Sequence, residues 1–223
     1  PVGLFLATPL TVCLVVIGRY VPQPEFLGVL LGNDPVLAPE EQLYQRLLAG
    51  NVEEAVEMAE GYVDEHSSID LYDNVALPAL RLAENDRRRS GTDTTYRRQV
   101  ADTATLVVRE VADHIGGPST PVNEMKPTPR VLCLAGRTEL DHAAAEMIGQ
   151  VLEEHGMGAR VLPPIAASPG ALAQLDLAGI EVVCLSYLHP QPQAFARYIF
   201  RRLRRRAPHI KLVICSWNIT AGH

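Results

Sequence analysis

At 223 residues the chain is long enough for one large domain or two modest ones, with a sizeable core. A formal net charge of −6, from 20 basic and 26 acidic residues, argues against general nucleic-acid binding. Cys13, Cys133, Cys184 and Cys215 lie in apolar runs with no C-x-x-C spacing, which suits buried thiols in a reducing compartment rather than a disulfide framework or a zinc site.

The chain opens on Val2 to Gly18, seventeen residues without a charge, and Arg19 is the first. That length is at the lower limit for crossing a bilayer, which takes about 20 residues. No basic start or small-residue cleavage site marks it as a secretory signal. A buried core helix is the alternative, but Thr8-Pro9 in mid-run and the β-branched density suit the tail of a transmembrane helix better. Arg19 then marks a cytoplasmic exit, and the expected location is the cell membrane with everything after Arg19 on the cytoplasmic side.

From Pro39 to Ile115 the pattern is helical. Pro39-Glu40-Glu41 starts a first helix that Gly50-Asn51 ends. Glu53 to His66 places Ala55, Val56, Ala59, Tyr62 and Val63 at helical spacing. Ser67-Ser68-Ile69-Asp70 can cap a third helix, running to about Arg89 with Leu71, Val75, Leu80 and Leu82 on its apolar face. Thr92-Asp93-Thr94 caps a fourth, which carries Val100, Ala104, Val107, Val108 and Val111. Four such helices make a small bundle. The Pro- and Gly-rich stretch 116–129 reads as a linker.

Arg130 to Asn218 alternates short apolar strands with longer helical segments. Strands are expected at Val131–Ala135, Ala159–Leu162, Glu181–Ser186 and Lys211–Cys215. Helices are expected from Glu139 to His155, closed by Gly156, then from Pro169 to Ala178 and from Gln191 to Arg206. Strands without polar alternation, joined by helix-length connections, predict a parallel sheet covered on both faces, hence a doubly wound α/β domain. Ligands in such sheets sit beyond the carboxyl ends of the strands, so Gly136–His142, Ser186–Pro190 and Cys215–Asn218 are the stretches of interest. A flavodoxin-like sheet takes a further helix and a fifth strand, so the chain reads as a fragment cut at both ends.

Two resemblances add to these readings. Gly3 to Thr11 (GLFLATPLT), then Val12-Cys13-Leu14-Val15-Val16, is similar to the last membrane helix of the autoinducer-2 exporter-type family of permeases. Gly18-Arg19-Tyr20-Val21-Pro22, the Leu30 to Pro35 run and Tyr44 to Gly50 resemble members with a long cytoplasmic extension. This resemblance covers the first fifty residues well and the rest more loosely. It implies a multi-pass transporter, with the membrane and the rest of the permease as partners.

A bundle followed by a doubly wound domain also resembles the cobalamin-binding module of methionine synthase-like and light-sensing proteins. Leu71 to Leu80 is similar to that module's second bundle helix. In that family a D-x-H-x-x-G motif after the first strand supplies an imidazole to cobalt and a glycine beside the nucleotide tail. Here Asp141 stands where the histidine belongs and Ala144 where the glycine belongs. His142 is one residue away, which in a helix turns it by roughly 100°. Asp141 and His142 are then expected in an exposed first turn, where an acid suits the helix dipole.

The S-x-L motif is present as Ser186-Tyr187-Leu188, but the Gly-Gly pair after the fourth strand is replaced by Cys215-Ser216-Trp217. The family's tryptophan and Glu-His pair over the ligand are missing from the bundle. The resemblance therefore implies a cobalamin-type fold without cofactor, with Asp141, His142, Ser186 and Leu188 as the cobalamin contacts if the cofactor is retained. The clustered acids of a response-regulator receiver, a phosphate-binding loop and a G-x-S-x-G nucleophile turn are all absent.

Arg201, Arg202, Arg204, Arg205 and Arg206 form a basic run at the carboxyl end of the third α/β helix. A solvated face is the plain reading, since cations suit that end of the dipole. Contact with an anionic lipid headgroup or an acidic protein is the sharper one.

The expected whole is a membrane-helix remnant and juxtamembrane segment over 1–38, a helical bundle over 39–115, a linker, and an incomplete flavodoxin-like, cobalamin-binding-type α/β domain over 130–223. Its expected role is the regulatory or interaction region of a permease, not an enzyme and without a metal. A pocket of Arg137, Glu139, Asp141, Ser186 and Trp217 would sense a ligand or partner. The alternative is a functional cobalamin-binding sensor or methyl carrier.

Overall fold

The computed structural model describes residues 37–90, 95–116 and 128–218, with backbone only over 87–90. The apolar run of Val2 to Gly18, the cap over Thr92–Thr94 and most of the linker lie outside these residues. No helix among the described residues is long and apolar enough to cross a membrane.

The amino-terminal half is helical. Helix α1 (Pro39–Ala49) carries Glu40 and Glu41 in its first turn, which suits the positive end of the helix dipole, and it buries Leu43 and Leu47. Gly50 takes φ of 70°, and Asn51 does not merely end α1: its side chain accepts the Glu54 N–H and caps α2 (Val52–Glu65). Ser67 and Asp70 form a reciprocal capping box that starts α3 (Ser68–Leu71). A π-helical turn (Tyr72–Ala76) joins α3 to α4 (Leu77–Ser90), and α5 (Thr95–Gly116) completes the bundle. The expected single third helix therefore has a wide turn in it. Leu47, Ala59, Leu71, Val75, Leu80, Val100, Val108 and Val111 fill the bundle core.

The carboxyl-terminal half is α/β. Its strands are β1 (Val131–Ala135), β2 (Ala159–Leu162), β3 (Val182–Tyr187) and β4 (Lys211–Ser216). They form one all-parallel sheet in the order β2-β1-β3-β4. The connecting helices are α6 (Glu139–Glu154), α7 (Pro169–Gln174) and α8 (Gln193–Arg206), and a 3-10 turn (Pro164–Ala167) precedes α7. Helix α7 stops four residues before its expected end because Asp176 Oδ1 accepts the Ala178 N–H and Gly179 takes φ of 75°, which turns the chain into β3.

Successive strand side chains point to opposite faces, so each strand feeds two cores. Val131 and Cys133 pack with Ala145 of α6 on one face. Leu132 and Leu134 pack with Leu172 of α7 and Ala196, Ile199 and Leu203 of α8 on the other. Helix α6 is also shared: its Leu140, Ala143, Ala144 and Met147 belong to the bundle core. Ser68 Oγ donates to Glu154 Oε2 at 2.6 Å and Tyr72 donates to Gln150, which stitches the same seam with polar contacts. The bundle thus rests on the outer side of α6, and the sheet on its inner side.

Candidate functional site

Strand order reverses between β1 and β3, where α6 and α8 leave toward opposite faces, so the ligand crevice of a doubly wound sheet belongs there. The inner end of that crevice is closed by Asp141. Thr138 caps α6 by accepting the Asp141 N–H, and the Asp141 carboxylate returns the bond to Thr138 N–H at 3.0 Å. The same Oδ2 accepts Arg137 N–H at 2.7 Å, and Oδ1 reaches across to Leu188 N–H at 2.6 Å. Asp141 is therefore fully buried rather than exposed in a first turn, as its place near the helix start suggests. Burial pushes its carboxyl up from the ordinary value, against the opposing pull of the Leu188, Arg137 and Thr138 N–H groups.

Leu188, held by that bond, is buried in the bundle core. Ser186 is also fully buried, and its Oγ accepts the indole N–H of Trp217 at 3.0 Å. Trp217 packs against the bundle core, and its backbone N–H bonds Tyr187 carbonyl at 2.9 Å. Asp141, Ser186 and Leu188 thus form a closed joint between sheet and bundle, and Trp217 beside them borders a smaller opening of about 220 Å³ with Tyr72, Leu77, Ala144 and Met147.

A larger opening lies on the other side of the joint. A cleft of about 930 Å³ is lined by Gly136, Arg137, Glu139 and His142 on one side. Pro163, Pro164, Ile165 and Pro169 line it from the β2–α7 connection, and Phe195 and Tyr198 from α8. Its walls are mostly apolar and its polar groups converge at one end, the usual make-up of a small-molecule site. The Arg137 guanidinium stacks 3.8 Å above the Phe195 ring. Glu139 lies 3.8 Å from Arg98 of α5. His142 Nε2 lies 3.4 Å from Glu146, and its buried Nδ1 has no partner among the described residues.

Of the five residues expected to share a pocket, Arg137 and Glu139 line this cleft, while Asp141 and Ser186 belong to the joint and Trp217 borders the smaller opening. His142, expected to be turned away, lines the cleft as well. The β2–α7 wall and the aromatics of α8 are absent from the sequence reading. Pro163-Pro164 directly after β2 is the signal for the wall, because the carboxyl end of β2 opens on the same edge as that of β1.

Gly136 makes the cleft floor possible: a Cβ there would come within 2.2 Å of the Tyr187 ring. Tyr187 itself is fully buried, its hydroxyl is unpaired among the described residues, and burial next to the Asp141 charge pushes its pKa up to about 12. Cys133 pairs in register with Cys184, and Cys215 interacts with Cys184 from β4, so three free thiols lie together on the sheet. Among the described residues no group of three or more His, Cys, Asp or Glu side chains is arranged to hold a metal ion.

The chain matches no family model and no curated protein.

Proposed function

We propose that this chain is the regulatory extension of a membrane permease, in which a non-catalytic α/β module of flavodoxin-like, cobalamin-type descent senses a small ligand. The carrying observation is the double role of α6. Glu139 and His142 line the cleft from its first turns, while Leu140, Ala143, Ala144 and Met147 of the same helix sit in the bundle core. A ligand that shifts the amino end of α6 therefore shifts the packing of the bundle. A cleft of about 930 Å³ suits a small molecule with an apolar body, placed between Ile165, Phe195 and Tyr198, and a polar end toward Arg137 and His142.

In this reading cobalamin is not that ligand. Asp141 stands in the place of the cobalt-ligating histidine and is committed to three backbone N–H groups. The space a Gly-Gly pair would leave carries the Trp217 indole, hydrogen-bonded to Ser186. The same bond and the full burial of Ser186 support a non-catalytic role, since a hydroxyl so engaged has no room for substrate. One observation favours the cobalamin alternative: the His142 ring lines the cleft, and its buried Nδ1 has no partner among the described residues.

The test is direct. Anilinonaphthalene sulfonate, an apolar dye with one anionic group, should brighten on binding the full chain and slow hydrogen exchange in α5 and α6. Ala194→Phe, which fills the cleft from α8, should abolish both effects; a variant that binds like the parent would refute the cleft as the site. Hydroxocobalamin should pass through gel filtration separately from the protein. A comigrating red band that changes spectrum in His142→Ala would establish the alternative instead.

A further inference from the structure

The outer face of α8 has no role in the cleft reading, and its charge is one-sided. Gln193–Arg206 carries six arginines, Arg197, Arg201, Arg202, Arg204, Arg205 and Arg206, and no acid, in a chain whose formal net charge is −6. Among the described residues none of the six is paired with a carboxylate. Arg202, Arg204 and Arg206 bond backbone carbonyls of Pro169, Pro208 and Leu172, which fixes the helix against its neighbours. Arg197, Arg201 and Arg205 repeat every four residues along the exposed side, one stripe of a helix whose opposite side buries Ala196, Ile199 and Leu203.

Beside this stripe the surface is apolar. Ile165 is 73 % exposed, and Phe195 and Tyr198 are exposed too. The groove lined by Arg197, Arg201, Arg202 and Arg205 and the mouth of the cleft share Ala194 and Tyr198, so the basic and apolar parts are one continuous face. A solvated basic helix has no need of a protruding isoleucine with two aromatic rings at its margin. Arginines beside aromatic and aliphatic side chains are the pattern of a surface lying on a bilayer, with apolar groups below the headgroups and guanidinium groups at the phosphates.

We infer that the α8 face, with the 3-10 turn beside it, docks on an anionic membrane surface. Arg197, Arg201 and Arg205 meet lipid phosphates, and Ile165, Phe195 and Tyr198 enter the headgroup boundary. Arg197, Arg201 and Arg205 lie outside the cleft, whereas Ile165, Phe195 and Tyr198 also line it, so docking covers the cleft mouth and competes with a ligand placed there.

The experiment is cosedimentation of the full chain with vesicles of phosphatidylcholine alone and of phosphatidylcholine mixed with phosphatidylserine. Any binding by the uncharged run Val2–Gly18 would be common to both vesicle types, so the informative quantity is the difference between them. The mixed vesicles should bind more protein, and added salt should erase the excess. Replacing Arg197, Arg201 and Arg205 by Gln should reduce partitioning to mixed vesicles by about a hundredfold, from about fivefold per basic residue, and leave neutral vesicles unaffected. Ile165→Asp should reduce it without changing the salt dependence. All four side chains are exposed, and circular dichroism melts should match the parent. Unchanged partitioning of the triple variant, or preference for a single-stranded RNA over mixed vesicles at the same salt, would overturn the inference.

Discussion

Asp141 of α6 and Leu188 after β3 are 47 residues apart in sequence, yet Asp141 Oδ1 accepts the Leu188 N–H at 2.6 Å. With the bonds from Arg137 and Thr138, one carboxylate satisfies three N–H groups at the place where a doubly wound fold commonly receives a ligand's anion. The chain supplies its own anion there, and the ligand space is displaced toward α8.

Asp141→Ala should therefore cost more than a cap. Leaving a buried donor unpaired costs about 1–3 kcal/mol; the Leu188 N–H is such a donor, and the part-buried Arg137 and Thr138 N–H groups lose a partner as well. Urea denaturation followed by circular dichroism should show a loss of about 2–3 kcal/mol, with Asp141→Asn in between. A loss below about 1 kcal/mol would mean that the bonds do not hold Leu188 in place.

Gly136 and Tyr187 make a paired prediction. Gly136→Ala drives a methyl group into the Tyr187 ring and should lower stability by about 1–3 kcal/mol, the usual cost of overpacking. Tyr187→Phe removes a buried hydroxyl with no partner among the described residues and should be neutral or raise stability by about 1 kcal/mol. Thermal melts of the two variants distinguish the effects by sign.

Trp217 is the single tryptophan and packs between sheet and bundle. Its fluorescence should report unfolding of the shared core, so its urea transition should coincide with that of far-ultraviolet circular dichroism. Two separate midpoints would mean that bundle and sheet unfold independently, and would remove the basis for coupling through α6.

His114 of α5 bonds Asp64 of α2 at 2.9 Å, with Glu60 at 3.7 Å. The hydrogen bond to Asp64 holds its pKa above 6.5, the ordinary value. A raised histidine value means that the tie is complete below 6.5 and is lost as pH rises through the higher value. An NMR titration of His114 should show the upward shift, and Asp64→Asn should bring it back toward 6.5. No change on that substitution would rule out Asp64 as the cause.

Patterns of local origin were legible. Strand runs of Val, Leu and Cys, helix lengths between them, and Gly156 at φ of 72° after α6 mark the sheet and its crossovers. The Thr138-x-x-Asp141 spacing even carries the capping box of α6. What that spacing cannot convey is the second use of the carboxylate, because Leu188 reaches it only through the packing of β3 beside β1. The cleft is hidden for a similar reason: Ile165 and Phe195 are 30 positions apart and meet only after β2 and α8 have taken their places. The resemblance to the cobalamin-binding motif turns His142 away from the ligand, whereas its direction follows from the cap that starts the helix.

The wide turn at Tyr72–Ala76, where Leu77 N–H reaches back five residues to the Tyr72 carbonyl, amounts to a surplus residue carried inside an otherwise regular rod. Shortening the chain by one position within this loosened coil would convert it to an ordinary turn and keep the segments before and after it in phase. The same deletion anywhere further along would swing the remainder by roughly 100° and tear its buried stripe from α1 and α5. The segment thus holds slack at one defined point, and tolerance to length change along it should be confined to those five positions.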